Sequence, residues 1–175
     1  GQDTLKFLYE FGALVGEDGQ KSAFKCYAID QNMDALRGDF YMKAPALVGN
    51  NEVELIQCSN QTPQFWDKLR EVINQLNYVV IAIGDDQKSI SLAINLYEFA
   101  CRYRENHLEY FKIFVRSSYN SEKNIQLKDI ANYYNQSNRE SLGEIIIFGT
   151  TKEVFTYDMV VNDRVKKDAM GFLNV

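Results

Sequence analysis

The stretch YVVIAIGDDQKSISLAI, residues Tyr78–Ile94, decides the fold because it joins a buried strand directly to a helix. Its first six residues are apolar, which is typical of a strand covered on both faces of a parallel sheet. The run breaks at Gly84, and apolar residues then return at helical spacing. The two carboxylates at the break, Asp85 and Asp86, either cap the helix or face a ligand at the carboxyl edge of the sheet.

Outward from this stretch, strand patterns alternate with helix patterns along the chain. The predicted elements, in chain order, are a helix over Asp3–Val15, strands over Ser22–Asn32 and Val53–Thr62, a helix that begins at Thr62-Pro63, a strand over Tyr78–Ile83, a helix over Gln87–Tyr103, a strand over Tyr110–Ser118, a helix over 124–137, a strand over Gly143–Gly149 and a closing helix over Val161–Leu173. In the helix that begins at Thr62-Pro63, the Thr62 hydroxyl is expected to accept from the first-turn N–H groups. Segment 32–48 is expected to be irregular, with at most one helical turn before Pro45.

The opening segment has two interpretations. Phe7, Tyr9 and Phe11 alternate as in a strand, whereas an N-cap at Asp3 and apolar residues at helical spacing favour a helix. We expect the helix. Because the chain opens on this cap rather than on an initiator Met, we also expect it to be a piece of a longer protein that lacks the first strand of its sheet.

This order of elements predicts an α/β fold: a Rossmann-like, doubly wound, mainly parallel sheet with helices on both faces. Residues 1–157 would form a nucleotide-binding domain, and residues 158–175 a C-terminal helix that leads toward a further module.

Composition and charge exclude several classes of function. The net charge is -5 and the Lys and Arg residues are scattered, which disfavours binding to nucleic acid. No apolar run approaches the roughly 18–20 residues that cross a bilayer, so direct membrane insertion is not expected. Three cysteines in apolar segments, without metal-ligand spacing, indicate reduced thiols in the cytoplasm.

Polar residues follow each predicted strand, where parallel sheets bind ligands. Asp30 either accepts hydrogen bonds from an adenosine ribose or serves as a plain turn residue. One of Asp85 and Asp86 is expected to cap the helix while the other faces the crevice, and Gly84 allows the backbone to approach a ligand. Arg116 can bind a phosphate or pair with either of these carboxylates.

No side chain identifies an enzyme. The single histidine, His107, lies in a polar connection, and the sequence contains neither a G-x-S-x-G elbow nor a P-loop. Asp85 and Asp86 are neighbours whose side chains diverge, so they are poor candidates for an acid–base pair. A nucleotide-sensing domain and a ligand-free assembly module remain as hypotheses, ahead of a dinucleotide-dependent or flavodoxin-like enzyme.

Several segments resemble the RCK or KTN family of Rossmann domains, which bind nucleotides and control potassium transport. The stretch YVVIAIGDDQKSISLAINL (Tyr78–Leu96) resembles the family's fourth strand and the helix after it, while VELIQCSNQT, YAIDQN and KIFVRSS resemble its third, second and fifth strands. The resemblance covers about Ser22–Gly149. It implies NAD or a related adenine nucleotide as ligand of the full-length protein, with a transporter or another domain of the same protein as partner.

Carried over by position, the resemblance places Asp30 on the ribose, Asn60 and Thr62 near the adenine, and Gly84, Asp85 and Arg116 along the central crevice. The chain departs from the family at Ser59 and Asn60, where the family has Gly-Asp. It also contains no G-x-G-x-x-G loop for the pyrophosphate, so no cofactor is certain for this piece and weak or absent binding is expected.

Helix 87–103 carries apolar residues on two sides, where a helix that covers a sheet needs one. One row contains Leu92, Leu96, Phe99 and Tyr103, and it is covered either by the closing helix Val161–Leu173 or by a second copy of the chain. We expect a two-fold homodimer contact, if one forms, to have Leu96 and Phe99 near its centre.

Overall fold

A computed structural model describes residues 4–5, 19–20, 24–47, 51–105, 111–117, 122–137 and 144–149. The chain divides into two compact units, Gly1–Glu71 and Val72–Val175. Both contain parallel strands and helices, so the molecule is a mixed α/β protein, with one sheet of two strands and one of three. The predicted closing helix Val161–Leu173 lies outside the described residues.

The first unit holds two parallel strands with a helical connection between them. Its elements are β1 (Cys26–Asp30), α1 (Met33–Lys43), a 3-10 turn (Pro45–Leu47), β2 (Val53–Gln57) and α2 (Pro63–Val72), whose last residue already belongs to the second unit. The strands pair in register from Cys26 opposite Val53 to Asp30 opposite Gln57, so both carboxyl ends lie at the same edge.

The core of this unit gathers side chains from both strands and from two helical segments. Its buried members are Leu5, Met33, Phe40 and Val53. Leu5 is helical together with Thr4, which agrees with the predicted opening helix at these two positions, and the rest of Asp3–Val15 lies outside the described residues.

The prediction of an irregular segment 32–48 is wrong, because α1 is a helix of eleven residues. Met33 and Phe40 lie seven residues apart on one face and are both buried, which anchors two turns of helix on the core. Asp39 and Lys43 add an ion pair of 3.0 Å at i,i+4 spacing on the exposed side. Pro45 had indicated a loop, but it follows the end of the helix, and Gly38 is tolerated within the helix.

The second unit is a parallel three-stranded sheet whose strands alternate with helices. Its elements are β3 (Tyr78–Ile81), α3 (Asp86–Tyr103), β4 (Lys112–Arg116), α4 (Glu122–Ser137) and β5 (Glu144–Phe148). The order across the sheet is β3-β4-β5, and each pair is parallel. The structure confirms the strands predicted over Tyr78–Ile83, Tyr110–Ser118 and Gly143–Gly149 and the helices predicted over Gln87–Tyr103 and 124–137, with strand ends up to two residues shorter.

Helix α3 buries a single face, and this corrects the two-stripe prediction. The members of that face are Ser89, Ile90, Ala93, Leu96, Tyr97 and Ala100. Leu96 is only 2% exposed and therefore belongs to the core, although it had been placed at the centre of an outward stripe. Cys101, which helical spacing places on the other apolar side of the helix with Ile90, Ala93, Ile94 and Tyr97, is exposed. The burial follows one continuous helical face because α3 packs along its length, which apolar spacing alone did not reveal.

Arg104 fastens the end of α3 to the connection between α2 and β3. Its guanidinium Nη1 donates to the carbonyl oxygens of Ile73, at 3.2 Å, and of Leu76. The same group lies over the ring of Phe111, with 5.2 Å to the centroid. Burial lowers the pKa of Arg104, and two carbonyl groups of the connection that follows α2 gain a cationic donor.

Candidate functional site

Asp30 ends β1 and forms a tight turn with the residues that follow it. Its Oδ1 accepts the backbone N–H of Asn32 at 2.7 Å, an Asx-type turn that fixes the carboxylate at the strand end. Its backbone carbonyl accepts from the N–H of Cys58 at 3.1 Å, so the chain leaving β2 runs beside it. The turn interpretation of Asp30 is therefore correct, and the position at the carboxyl edge that a ribose-binding acid requires is also present.

Gln57, at the end of β2, makes a contact that could not be predicted from the sequence. Its side-chain Oε1 accepts the N–H of Asp34 at 2.7 Å and so satisfies one of the first-turn donors of α1. This link fastens the start of α1 to the end of β2. Because the two residues are 23 positions apart, no local capping pattern signals the contact.

The segment Ser59–Thr62 makes a compact turn between β2 and α2. The Ser59 carbonyl accepts from both the N–H of Thr62, at 3.1 Å, and its hydroxyl, at 2.7 Å. The Ser59 hydroxyl accepts the N–H of Gln61 at 3.3 Å. Thr62 was expected to accept from the first turn of α2; its hydroxyl proton instead goes back to Ser59, while Pro63 occupies the first helical position as predicted.

Asn60 lies in the middle of this turn with its side chain half-buried. Among the described residues, none hydrogen-bonds its side-chain amide. The amide keeps two donors and an acceptor for other partners, in the turn that follows the strand next to Asp30. Together with the neighbouring polar residues at this edge, Asn60 forms the first strand-end cluster, which consists of Asp30, Ser59, Asn60 and Thr62.

In the second unit, Asp85 caps α3 as one of the two carboxylates was predicted to do. Its backbone is extended and its Oδ1 accepts the N–H of Lys88 at 3.0 Å. The ammonium group of Lys88 lies 3.9 Å from the other oxygen. Asp85 is exposed, but one of its oxygens is committed to the helix.

Asp86 turns toward the next strand rather than toward its own helix. Its Oδ2 accepts the hydroxyl of Ser117 at 3.0 Å. Ser117 follows β4 and is 1% exposed, and its N–H donates to the carbonyl of Phe148 at 3.0 Å. The carboxylate and the hydroxyl therefore join the first turn of α3 to the ends of β4 and β5.

Gly149 completes this edge. Its φ is +79°, in the region that favours glycine, and a Cβ built there would lie 3.6 Å from the carbonyl oxygen of Ser117. Gly84 has a different environment, since a Cβ there would meet no atom within 4 Å. Space next to Gly84 is open, as a ligand-facing position requires.

Arg116 is exposed at the end of β4. Within the described part of the chain, no ion pair joins it to Asp85 or to Asp86. The pairing alternative is therefore not observed, and the guanidinium stands at the carboxyl edge. The second strand-end cluster is defined by Gly84, Asp85, Asp86, Arg116, Ser117 and Gly149.

The structure brings the predicted site residues together in two groups, one in each unit. Asp30, Asn60 and Thr62 share the edge formed by β1 and β2, while Gly84, Asp85 and Arg116 share the edge formed by β3 and β4. The first group offers a carboxylate, an amide and a hydroxyl, and the second offers a carboxylate and a guanidinium; these are groups that can bind the hydroxyl and phosphate groups of a nucleotide.

Over the described residues, no group of three or more His, Cys, Asp or Glu side chains is arranged to hold a metal ion. In the same residues, no helix has the length and apolar character needed to cross a bilayer. Comparison of the chain with protein-family models, with curated proteins and with solved structures finds no match.

Proposed function

We propose that this chain is a Rossmann-like module of the RCK or KTN type, which binds an adenine nucleotide of the NAD class and regulates transport of potassium. The observation that carries the proposal is the position of Asp30. Its carboxylate stands at the carboxyl end of a parallel strand, next to the turn that holds Asn60. A ribose-binding acid occupies this position in Rossmann domains.

The strand order within each unit supports the same proposal. A Rossmann sheet has the order 3-2-1-4-5-6. If the five described strands correspond to the second through sixth of that sheet, strands 2 and 3 should be neighbours, as β1 and β2 are. Strands 4, 5 and 6 should follow one another, as β3, β4 and β5 do.

The residue roles in this proposal follow from the two edges. Asp30 accepts from the ribose hydroxyls, with the amide of Asn60 and the hydroxyl of Thr62 near the base. At the edge of the second unit, taken by itself, Arg116 offers a charged donor that suits phosphate oxygens, and the space next to Gly84 is open. Asp85 supports the site indirectly, because its cap orients the start of α3.

Calorimetric titration of the chain with NAD, NADH and ATP tests the proposal. We expect saturable binding with a dissociation constant weaker than about 1 μM, a binding free energy smaller than about 8 kcal/mol, because the sequence has no glycine-rich pyrophosphate loop. Absence of saturable binding at millimolar nucleotide would contradict the proposal.

Asp30→Asn separates the two roles of Asp30. The amide oxygen of Asn can still accept the N–H of Asn32, so the turn is kept while the charge that attracts ribose hydroxyls is lost. We expect about tenfold weaker binding, roughly 1.4 kcal/mol. Asp34→Asn, on the exposed side of α1, is the matched control and should leave the affinity unchanged; equal affinities in both variants would remove Asp30 from the site.

The alternative is a ligand-free Rossmann-like module that serves in assembly. It is favoured by the internal partners of the carboxylates, since Asp30, Asp85 and Asp86 each accept a hydrogen bond from the chain itself. On this alternative neither the unsubstituted chain nor Asp30→Asn shows saturable binding, and the substitution leaves the stability unchanged.

A further inference from the structure

Strand β5 directs its backbone groups alternately toward β4 and away from it. The N–H of Glu144 donates to the carbonyl of Phe111 at 3.2 Å, and the carbonyl of Phe148 accepts from Ser117 at 3.0 Å. Backbone groups of a strand alternate in direction at each residue. The N–H and C=O of Ile145 and Ile147 therefore point away from β4, to the outer edge of β5.

A single side chain closes this outer edge at Ile145. The Nδ2 of Asn135, in the last turn of α4, donates to the carbonyl of Ile145 at 3.0 Å. Its Oδ1 accepts the N–H of the same residue at 2.9 Å. A primary amide thus presents one donor and one acceptor to Ile145, as the backbone of a neighbouring strand does.

The edge needs such protection because of its sequence. Four of the five residues of EIIIF are apolar and three are β-branched, and the strand contains no proline. An edge strand of this composition is a template for pairing with another strand. Within the described residues, Ile145 has a partner for its outward backbone groups and Ile147, the other outward-facing interior position of β5, has none.

We propose that Asn135 guards the outer edge of β5 against pairing with the same strand of a second copy of this chain. A second copy of the chain presents an identical β5, with the same apolar side chains and the same outward backbone groups at Ile147. The β5 strands of two copies are therefore suited to pair with each other. With Ile145 occupied, the remaining edge is too short to hold a strand. With Ile145 open, consecutive outward positions become available to the second copy.

Asn135→Ala tests whether Asn135 prevents pairing at the outer edge of β5, with Asn132→Ala as the matched control. Asn132 is an exposed asparagine on the same helix, so both variants lose the same side chain. Light scattering over a range of concentrations should show a higher mass for Asn135→Ala than for the unsubstituted chain, and no change for Asn132→Ala. An unchanged mass for Asn135→Ala would overturn the proposal.

Hydrogen exchange at low concentration provides a direct measure of the closed edge. The amide of Ile145 should exchange at least about tenfold faster in Asn135→Ala, while it stays protected in Asn132→Ala. If circular dichroism shows that the alanine variant is unfolded, Asn135→Ser replaces it, because serine is too short to bridge both groups of Ile145 but keeps a polar helix surface.

Ile147→Pro distinguishes edge pairing from association of misfolded chains. Proline removes the remaining outward N–H of the edge, and edge strands tolerate it. Added to Asn135→Ala, it should return the mass to that of the unsubstituted chain. A mass that stays high would show that association uses another surface, and the proposed role of Asn135 would be wrong.

Discussion

Cys26 begins β1 with its thiol packed against the apolar core of the first unit. Burial raises the pKa of this thiol from its ordinary 9.0 to about 11. The folded chain therefore holds the proton more tightly than the unfolded chain does. The thiol is therefore neutral and inert at physiological pH.

This shift predicts how stability depends on alkaline pH. Below about pH 9 the thiol is protonated in both states, and its contribution to the free energy of unfolding is fully present. Between about pH 9 and 11 only the unfolded chain loses the proton, so this contribution is lost as pH rises. The loss is up to about 3 kcal/mol, since each pKa unit corresponds to about 1.4 kcal/mol.

Urea denaturation from pH 8 to pH 11 measures this loss. Cys26→Ala should show a shallower fall in the free energy of unfolding than the unsubstituted chain, because it lacks the titrating thiol. Cys101→Ala should follow the unsubstituted chain. Parallel pH profiles for all three proteins would show that Cys26 does not titrate in this window.

At the scale of the element, α3 starts where Asp85 caps it. The hydrogen bond from the N–H of Lys88 satisfies a donor that the helix cannot satisfy itself. Ser89, which is fully buried, donates its hydroxyl to the Asp85 carbonyl at 2.8 Å. The start of α3 is therefore held by both the side chain and the backbone of Asp85.

We expect Asp85→Ala to lower the free energy of unfolding by about 1 kcal/mol, because alanine cannot accept the first-turn N–H. Asp85→Asn keeps an oxygen acceptor and should be nearly neutral. The midpoint of urea unfolding, followed by circular dichroism, measures both variants. If alanine and asparagine give the same midpoint, the cap does not stabilise α3.

The Asp85 cap could be predicted from sequence because donor and acceptor are three positions apart. The strands of the second unit could be predicted for a similar reason, since their continuous apolar runs are local signals. The Asp86–Ser117 contact could not, because its partners are 31 positions apart and meet only when β4 lies beside β3. The Asn135 contact likewise depends on where α4 ends relative to β5.

The prediction for α1 was wrong for the opposite reason: local signals were present, but they indicated a loop where the structure has a helix. Gly38 and Pro45 are typical of loops. Two buried side chains, Met33 and Phe40, are enough to hold it on the sheet as a helix. Tertiary packing outweighs intrinsic propensity here, as it does in most short helices.

At the scale of the whole molecule, the proposed homodimer through helix 87–103 needs a different centre from the one expected. Leu96 is buried within the chain, so it cannot lie in a contact between copies. Most of the outward row of α3 is polar, since Ser91, Asn95 and Glu98 are exposed. Exposed apolar surface on α3 is found instead at its C-terminal end.

Tyr103 is the exposed aromatic residue at that end. It is 37% exposed, and its ring lies 4.5 Å from the ring of Phe99. Paired aromatic side chains are typical centres of protein interfaces. We therefore expect a two-fold contact through α3 to be centred on Tyr103 and Phe99 rather than on Leu96.

Light scattering on the purified chain, with Tyr103→Glu as the variant, measures this contact. The unsubstituted chain should approach twice its single-chain mass of 20.2 kDa as the concentration rises. Tyr103→Glu places a charge at the expected centre and should keep the mass near that of one chain, whereas the control Ser91→Glu, on the outward row, should still associate.

Leu96→Ala, which empties a core position, should lower the free energy of unfolding by about 2–5 kcal/mol without specifically abolishing association. A mass of one chain at every concentration of the unsubstituted protein would contradict the dimer, since an interface centred on an aromatic pair should then have formed.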